Sequence, residues 1–143
     1  MGAVVAGTAV LAWLVVLSLH DIRHRRLPNW LTIPGAIVIL ATAAMVNRGT
    51  PALLGSAALT GFYLVVHLIA PAGMGAGDVK LAAGVGGLTG FFGFDVWALA
   101  AIAAPLFTAV LASVVLVRRT GTTVPHGPSM CVATLVVVTL ATL

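Results

Sequence analysis

Apolar residues run through this chain in long stretches, and each stretch stops at a short cluster of polar, charged, glycine or proline residues. Residues 2–19 are apolar apart from Thr8 and Ser18. At ~1.5 Å per residue such a run spans a hydrocarbon core of ~30 Å as one helix. The pattern predicts five more helices over residues 30–46, 52–70, 79–93, 96–117 and 129–143. The breaks between them are clear. The segment from His20 to Asn29 is polar, with Pro28 disfavouring helix before it and Asn29 suited to cap the helix that follows. Residues 47–51 form a turn, Pro71, Ala72 and Gly73 stop the third run, and residues 118–128 form a polar, helix-breaking loop. Pro34 and Pro105 fall inside predicted helices as sites for a kink. The fourth run is short and rich in small residues. Its Gly86 and Gly90, four apart, would let a neighbouring helix approach closely.

Composition turns this pattern into a class. The chain of 143 residues is 61% hydrophobic and 7% charged, with a mean hydropathy of +1.18. A soluble domain of this size needs a largely polar exterior and has no room to hide so much apolar surface. The expectation is an all-α polytopic membrane bundle of about six transmembrane helices, forming a single membrane-embedded domain over residues 1–143. Barrel strands would read instead as alternating segments of ~10 residues. The one cysteine, Cys131, lies in the last apolar run and reads as a small packing residue. Neither a disulfide framework nor a Cys-x-x-Cys metal site is expected, and no cofactor is called for. No Lys or Arg precedes Arg23, so the cationic start of a cleaved signal peptide is missing and the first run is expected to stay in the mature protein. Met1 and Gly2 are followed by Ala6 where a myristoylation motif has Ser or Thr.

The net charge of +4 and the isoelectric point near 10.8 reflect orientation in a bilayer, not binding to nucleic acid. With six helices, Arg23, Arg25, Arg26, Lys80, Arg118 and Arg119 fall at one membrane face and Arg48 alone at the other. That asymmetry places the six at the cytoplasmic face and both termini outside. Trp13, Trp30, Trp97 and Tyr63 read as packing residues or interfacial anchors, His67 as the holder of a structural hydrogen bond, and His126 as a loop residue. His20 and His24 could tune a nearby site.

The same parity organises the acids. Asp21, at the end of the first helix, and Asp78, at the start of the fourth, share the cytoplasmic face, whereas Asp95 lies at the opposite one. Taken singly, Asp21 is a carboxylate balancing Arg23 and Arg25, and Asp78 is a helix N-terminal acid favoured by the macrodipole by ~0.3–1 kcal/mol. Lys80, two residues beyond Asp78, does not face it on a helix and would snorkel to lipid phosphates or water. At matched depth on two helices, however, the two acids can meet and share a proton, because like charges a few Å apart do not both ionise cheaply. One carboxylate then acts as general base on a water while the other, protonated, hydrogen-bonds the carbonyl under attack. A peptide bond inside a helix has its backbone groups occupied, so its cleavage needs an extended segment. The glycines between Gly73 and Gly77 would let enzyme backbone approach that segment closely.

These residues carry a resemblance. Asp21 with Arg23, Arg25, Leu27, Pro28 and Asn29 resembles the first aspartate motif of the prepilin peptidases. The run Gly73-Met74-Gly75-Ala76-Gly77-Asp78-Val79-Lys80-Leu81 resembles their second, a Gly-x-Gly-Asp signature shared more distantly with presenilin-like and signal-peptide-peptidase proteases. Pro125-His126-Gly127-Pro128 is similar to a Pro-x-Gly-Pro element before their last helix. The three motifs come in the family's order and cover nearly the whole chain.

The resemblance implies an aspartic endopeptidase of the inner (plasma) membrane that removes the short cationic leader of prepilins or pseudopilins at the cytoplasmic boundary. It implies Asp21 and Asp78 as the catalytic pair. Gly75, Gly77, Arg23, Lys80, Pro125, Gly127 and Pro128 would then bind substrate or shape the site, with no metal ligand. Larger relatives add a cysteine-paired, zinc-binding cytoplasmic domain and methylate the new N-terminus. With one cysteine, this chain looks like the short, peptidase-only form found with tight-adherence pili. Two other classes are compatible with the residues: a small proton-coupled transporter, and a non-catalytic subunit of a pilus or secretion assembly.

Overall fold

A computed structural model describes residues 1–121 and 123–143. Thr122, inside the expected polar loop at 118–128, lies outside them. The described residues form six helices: α1 (Gly2–His24), α2 (Asn29–Met45), α3 (Gly49–Ile69), α4 (Ala76–Phe92), α5 (Phe94–Arg118) and α6 (His126–Thr142). Three of them, α1, α3 and α5, are long and apolar enough to cross a membrane, and α2 and α6 are shorter apolar helices. Exposed Leu, Val, Ile and Phe side chains cover the outside of the bundle. That is the surface lipid takes in a membrane helical bundle.

Helix α4 is the axis of the fold, in contact with α2, α3, α5 and α6. Ten of its 17 residues are buried, against three of 23 in α1, so it faces protein where α1 faces lipid. Small residues make this possible. A Cβ added to Gly86 would stand 2.5 Å from the Gly55 carbonyl oxygen, and one added to Gly55 would stand 2.5 Å from the Gly86 oxygen. A Cβ at Gly90 would stand 2.6 Å from the Pro51 oxygen. The four-residue glycine spacing therefore brings α3 and α4 into backbone contact, as expected. Trp97 adds a strut by donating from Nε1 to the Gly55 carbonyl at 3.0 Å. On the other flank Trp13 donates to the Leu31 carbonyl at 2.9 Å while its ring lies over Gly35 and Gly84. Both are packing residues, whereas Trp30, 69% exposed, is left on the surface as an anchor.

This contact carries a first prediction. Gly86→Ala places a methyl against a backbone oxygen that has nowhere to go, so it is expected to destabilise the bundle by about 1–3 kcal/mol or more. Alanine's better helix propensity recovers only about 0.5–1 kcal/mol of that. Thermal melting in detergent checks it, and an unchanged midpoint would mean α3 and α4 do not touch there.

Several boundaries move from their expected positions. Helix α1 continues five residues past Leu19, because the Leu14 and Leu17 stripe that faces inward is extended by Asp21. Pro28 caps α2 and Asn29 is its first helical residue, so Asn29 is not the N-cap. Helix α4 starts at Ala76, which puts Asp78 inside its first turn. Pro125 caps α6, and His126, Gly127 and Pro128 form its first turn, not part of the loop. Proline is tolerated there because the amide it lacks would have no partner within the helix.

Candidate functional site

One end of the bundle gathers the C-terminal ends of α1, α3 and α5 and the N-terminal ends of α2, α4 and α6, as the contacts between their connecting segments show. Leu27, between α1 and α2, packs on Gly77, where a Cβ would stand 3.0 Å from the Leu27 Cβ. Lys80 donates to the Asn29 side-chain oxygen at 2.6 Å. His67 of α3 donates from Nδ1 to the Met74 carbonyl at 2.6 Å, fastening the glycine-rich segment. Arg25 donates to Thr123 in the segment before α6. The three sequence motifs thus meet in space.

Asp21 and Asp78 are both buried, at 7% and 9% exposure. In a chain with three acids and an apolar interior, two carboxylates withdrawn from water are expensive unless something uses them. They lie within electrostatic range of each other. Cys131 is buried between α6 and its neighbours and feels both of them, beside Ser18. Arg25 and His20 lie near Asp21. Around Asp78 the charged neighbour is Asp21 itself, with the Gly75 backbone turned toward the carboxylate. Asp78 is the third residue of α4 and Gly75 its cap, the arrangement in which a side chain reaches back to the capping residue's amide.

Gly127 supplies the third wall. A Cβ there would collide with Oδ2 of Asp21 and stand 3.1 Å from its Cγ. The glycine of the third motif therefore lets α6 lie against the carboxylate of the first.

The other expected site residues divide by surroundings. Gly77 is half-buried with Leu27 on its Cβ side, so it admits the chain's own loop there. Gly75 is exposed, and a Cβ there would find only Asp78 Oδ2 at 3.8 Å and Gly77 N at 3.9 Å. That leaves it open to a ligand. Gly73 is also exposed, with Ala70 as its neighbour. Arg23 is exposed, while Pro125 and Pro128 are half-buried around Gly127. Lys80 does not snorkel away, because its bond to Asn29 ties the second motif to the first.

Two residues prove closer to the acids than their spacing suggested. Tyr63 is 3% exposed, not an interfacial anchor, and lies within electrostatic range of Asp78. Its hydroxyl meets His126 Nε2 at 2.7 Å, and the Thr108 hydroxyl meets His126 Nδ1 at 2.6 Å. His126 is therefore a three-helix junction and not a loop residue. A lone tyrosine in the middle of an apolar run was the one available signal. Asp95 is exposed in the first turn of α5, at the far end of α4 from Asp78.

Among the described residues no group of three or more His, Cys, Asp or Glu side chains is placed to hold a metal ion. What the site does offer is a water-poor carboxylate pair beside an open glycine backbone.

Comparison with known proteins gives a family. The chain matches the type IV leader peptidase family over residues 8–142. It is 35% identical over 140 residues to the prepilin leader peptidase/N-methyltransferase of Xanthomonas campestris pv. campestris, an alignment covering 89% of this chain and 47% of that protein. The chain thus spans about half the length of that curated relative. No solved structure matches it.

Proposed function

The chain belongs to the type IV leader peptidase family, and from that membership we propose that it is an aspartic endopeptidase that cleaves the leader of prepilins or pseudopilins with Asp21 and Asp78. The observation that supports this most is the burial of those two carboxylates within range of each other, Asp21 against the backbone of Gly127 in the third motif and Asp78 against that of Gly75 in its own.

In the proposed reaction one carboxylate removes a proton from a water as its oxygen attacks the scissile carbonyl carbon. The other, protonated, hydrogen-bonds the carbonyl oxygen and gives up its proton as the oxyanion forms. In the collapse of the tetrahedral intermediate the carbonyl re-forms as its hydroxyl proton returns to the second carboxylate, the C–N bond breaks, and the proton taken from water goes to the departing amine. The carboxyl group of the leader and the free amine of the mature chain leave, and the pair again holds one proton. Gly75 offers backbone along the extended substrate.

The location follows the charges. The end that carries the pair also carries Arg23, Arg25, Arg26, Lys80, Arg118 and Arg119, so in this reading it faces the cytoplasm from the inner membrane, with both termini outside. We assign the peptidase step alone, without N-methylation and without zinc: Cys131 is the one cysteine.

The test is co-expression with a tagged prepilin, followed by gel shift and N-terminal mass. A single shortened product is expected, unchanged in yield when the purified reaction contains EDTA or phenanthroline. Loss with chelator would point to a metal-dependent reaction. If a broad set of prepilins stays uncut, the transporter and assembly-subunit readings move ahead.

A further inference from the structure

His126 sits at the first position of α6 and both of its ring nitrogens are engaged. Nε2 meets the Tyr63 hydroxyl of α3 at 2.7 Å, and Nδ1 meets the Thr108 hydroxyl of α5 at 2.6 Å. Thr108 has one further contact, donation from Oγ1 to the Ala104 carbonyl one turn back at 3.2 Å. These three contacts favour one direction. A hydroxyl has one proton, and a neutral imidazole has one N–H and one bare nitrogen. If the Thr108 proton goes to Ala104, Oγ1 must accept from His126, so Nδ1 carries the hydrogen, Nε2 is bare, and Tyr63 donates to it. All three contacts are then hydrogen bonds. In the opposite tautomer Thr108 donates to Nδ1, and the Ala104 contact is left without a proton. The Ala104 carbonyl already accepts from backbone within α5, so the first arrangement is preferred for keeping one more hydrogen bond, worth about 0.5–1.5 kcal/mol.

The polarity matters because of where Tyr63 lies. Its side chain is 3% exposed, one turn before His67, whose ring holds the Met74 carbonyl, and it shares a buried cluster with Leu81 and Val79, which follow Asp78 on α4. With its one proton committed to His126, the phenolic oxygen has only lone pairs left. It can accept from a protonated carboxyl or from a water, and it cannot donate to a carboxylate.

We propose that His126 is a positioning residue that fixes the Tyr63 hydroxyl as a hydrogen-bond acceptor toward Asp78 and the attacking water. The inference rests on the peptidase reading of the Asp21 and Asp78 pair. The water has two protons. One goes to the carboxylate acting as base, the other is held by Tyr63, and the oxygen lone pair is thereby turned to the scissile carbonyl. A Tyr63 free to donate would instead hydrogen-bond a carboxylate and compete with the water for it. His126 also precedes Gly127, which lies on Asp21, so one ring anchors the wall of one carboxylate and sets the polarity beside the other.

The tautomer is read directly, on active or inactive protein. In detergent-solubilised protein labelled with ¹⁵N-histidine, the His126 resonances, assigned by their absence in His126→Phe, are expected to show a protonated Nδ1 and a bare, hydrogen-bonded Nε2. Tyr63→Phe should move the Nε2 shift. A protonated Nε2 overturns the proposal whether or not the protein cleaves prepilins, while cleavage by the wild type reports on the peptidase reading separately.

Kinetics gives the second arm. His126→Phe keeps the ring's bulk but removes the acceptor, and is expected to lower kcat about tenfold with KM unchanged, and to lower the melting temperature because the Tyr63 and Thr108 hydroxyls lose their partner. His126→Gln, whose amide oxygen accepts from Tyr63, should restore most of the rate. In a Tyr63→Phe background His126→Phe should cost nothing further. A Gln variant as slow as Phe, or a loss that persists without the Tyr63 hydroxyl, would show that His126 only packs.

Discussion

Asp21→Asn and Asp78→Asn are each expected to lower the rate of leader cleavage by about 10²–10⁴-fold or more, the range for removing a positioned acid or base. The double variant should be little worse than either single one, because groups acting as one unit do not contribute additively. Stability should move the other way or stay level. Both carboxylates are buried, and a neutral amide of the same shape is cheaper to keep out of water. Asp78 also sits in the first turn of α4, where its charge favours the helix by ~0.3–1 kcal/mol, so its gain on neutralisation is the smaller. Lost activity with retained or raised stability is what a functional carboxylate predicts; a structural one loses stability. Asp95→Asn is the control. Its carboxylate is exposed at the far end of α4, and its rate should match the wild type. Cleavage assays at equal protein levels, paired with thermal melting in detergent, decide it. If either Asn variant cleaves at close to the wild-type rate, the aspartic mechanism is wrong.

That Asp21 and Asp78 share one end of the bundle was legible in the sequence, and the reason is electrostatic. Carboxylates are scarce in a chain this apolar, so each one narrows the possibilities, and helix parity alone assigns Asp21 and Asp78 to one end. The six helices were legible because lipid-facing sequence is unbroken. Their ends were less so. Asp21 reads as the start of a loop by polarity, yet it continues the inward stripe of Leu14 and Leu17, and α1 carries it into the bundle. Helix α4 reads as short and weak because hydropathy measures affinity for lipid. Its glycines are there for Gly55 and Trp13. What the sequence left hidden are pairings set only by packing: Lys80 with Asn29, Leu27 with Gly77, and His126 with residues 63 positions and 18 positions away. Gly127 stood out within its motif, but nothing in its spacing named Asp21 as what it touches.

That contact separates two glycines that a sequence scan treats alike. At Gly86 an added methyl meets a carbonyl oxygen of α3, which is fixed by its own helix, so the bundle itself must yield. At Gly127 the added methyl meets Oδ2 of Asp21, the far end of a side chain that can swing aside. Gly127→Ala is therefore expected to fold, and alanine's better propensity within the first turn of α6 adds about 0.5–1 kcal/mol of stability. The carboxylate, however, is displaced by roughly the width of the overlap. A misplacement of about 1 Å at a reacting group costs on the order of 10²-fold in rate. Gly127→Ala should thus cleave about 10–100-fold more slowly at an unchanged or raised melting temperature, and Gly86→Ala should melt early while the fraction still folded cleaves at the normal rate. Measuring rate per folded molecule and melting temperature for both variants sorts them. A Gly127→Ala protein with full activity would mean that Asp21 can react from a displaced position, and that the third motif has no part in holding it.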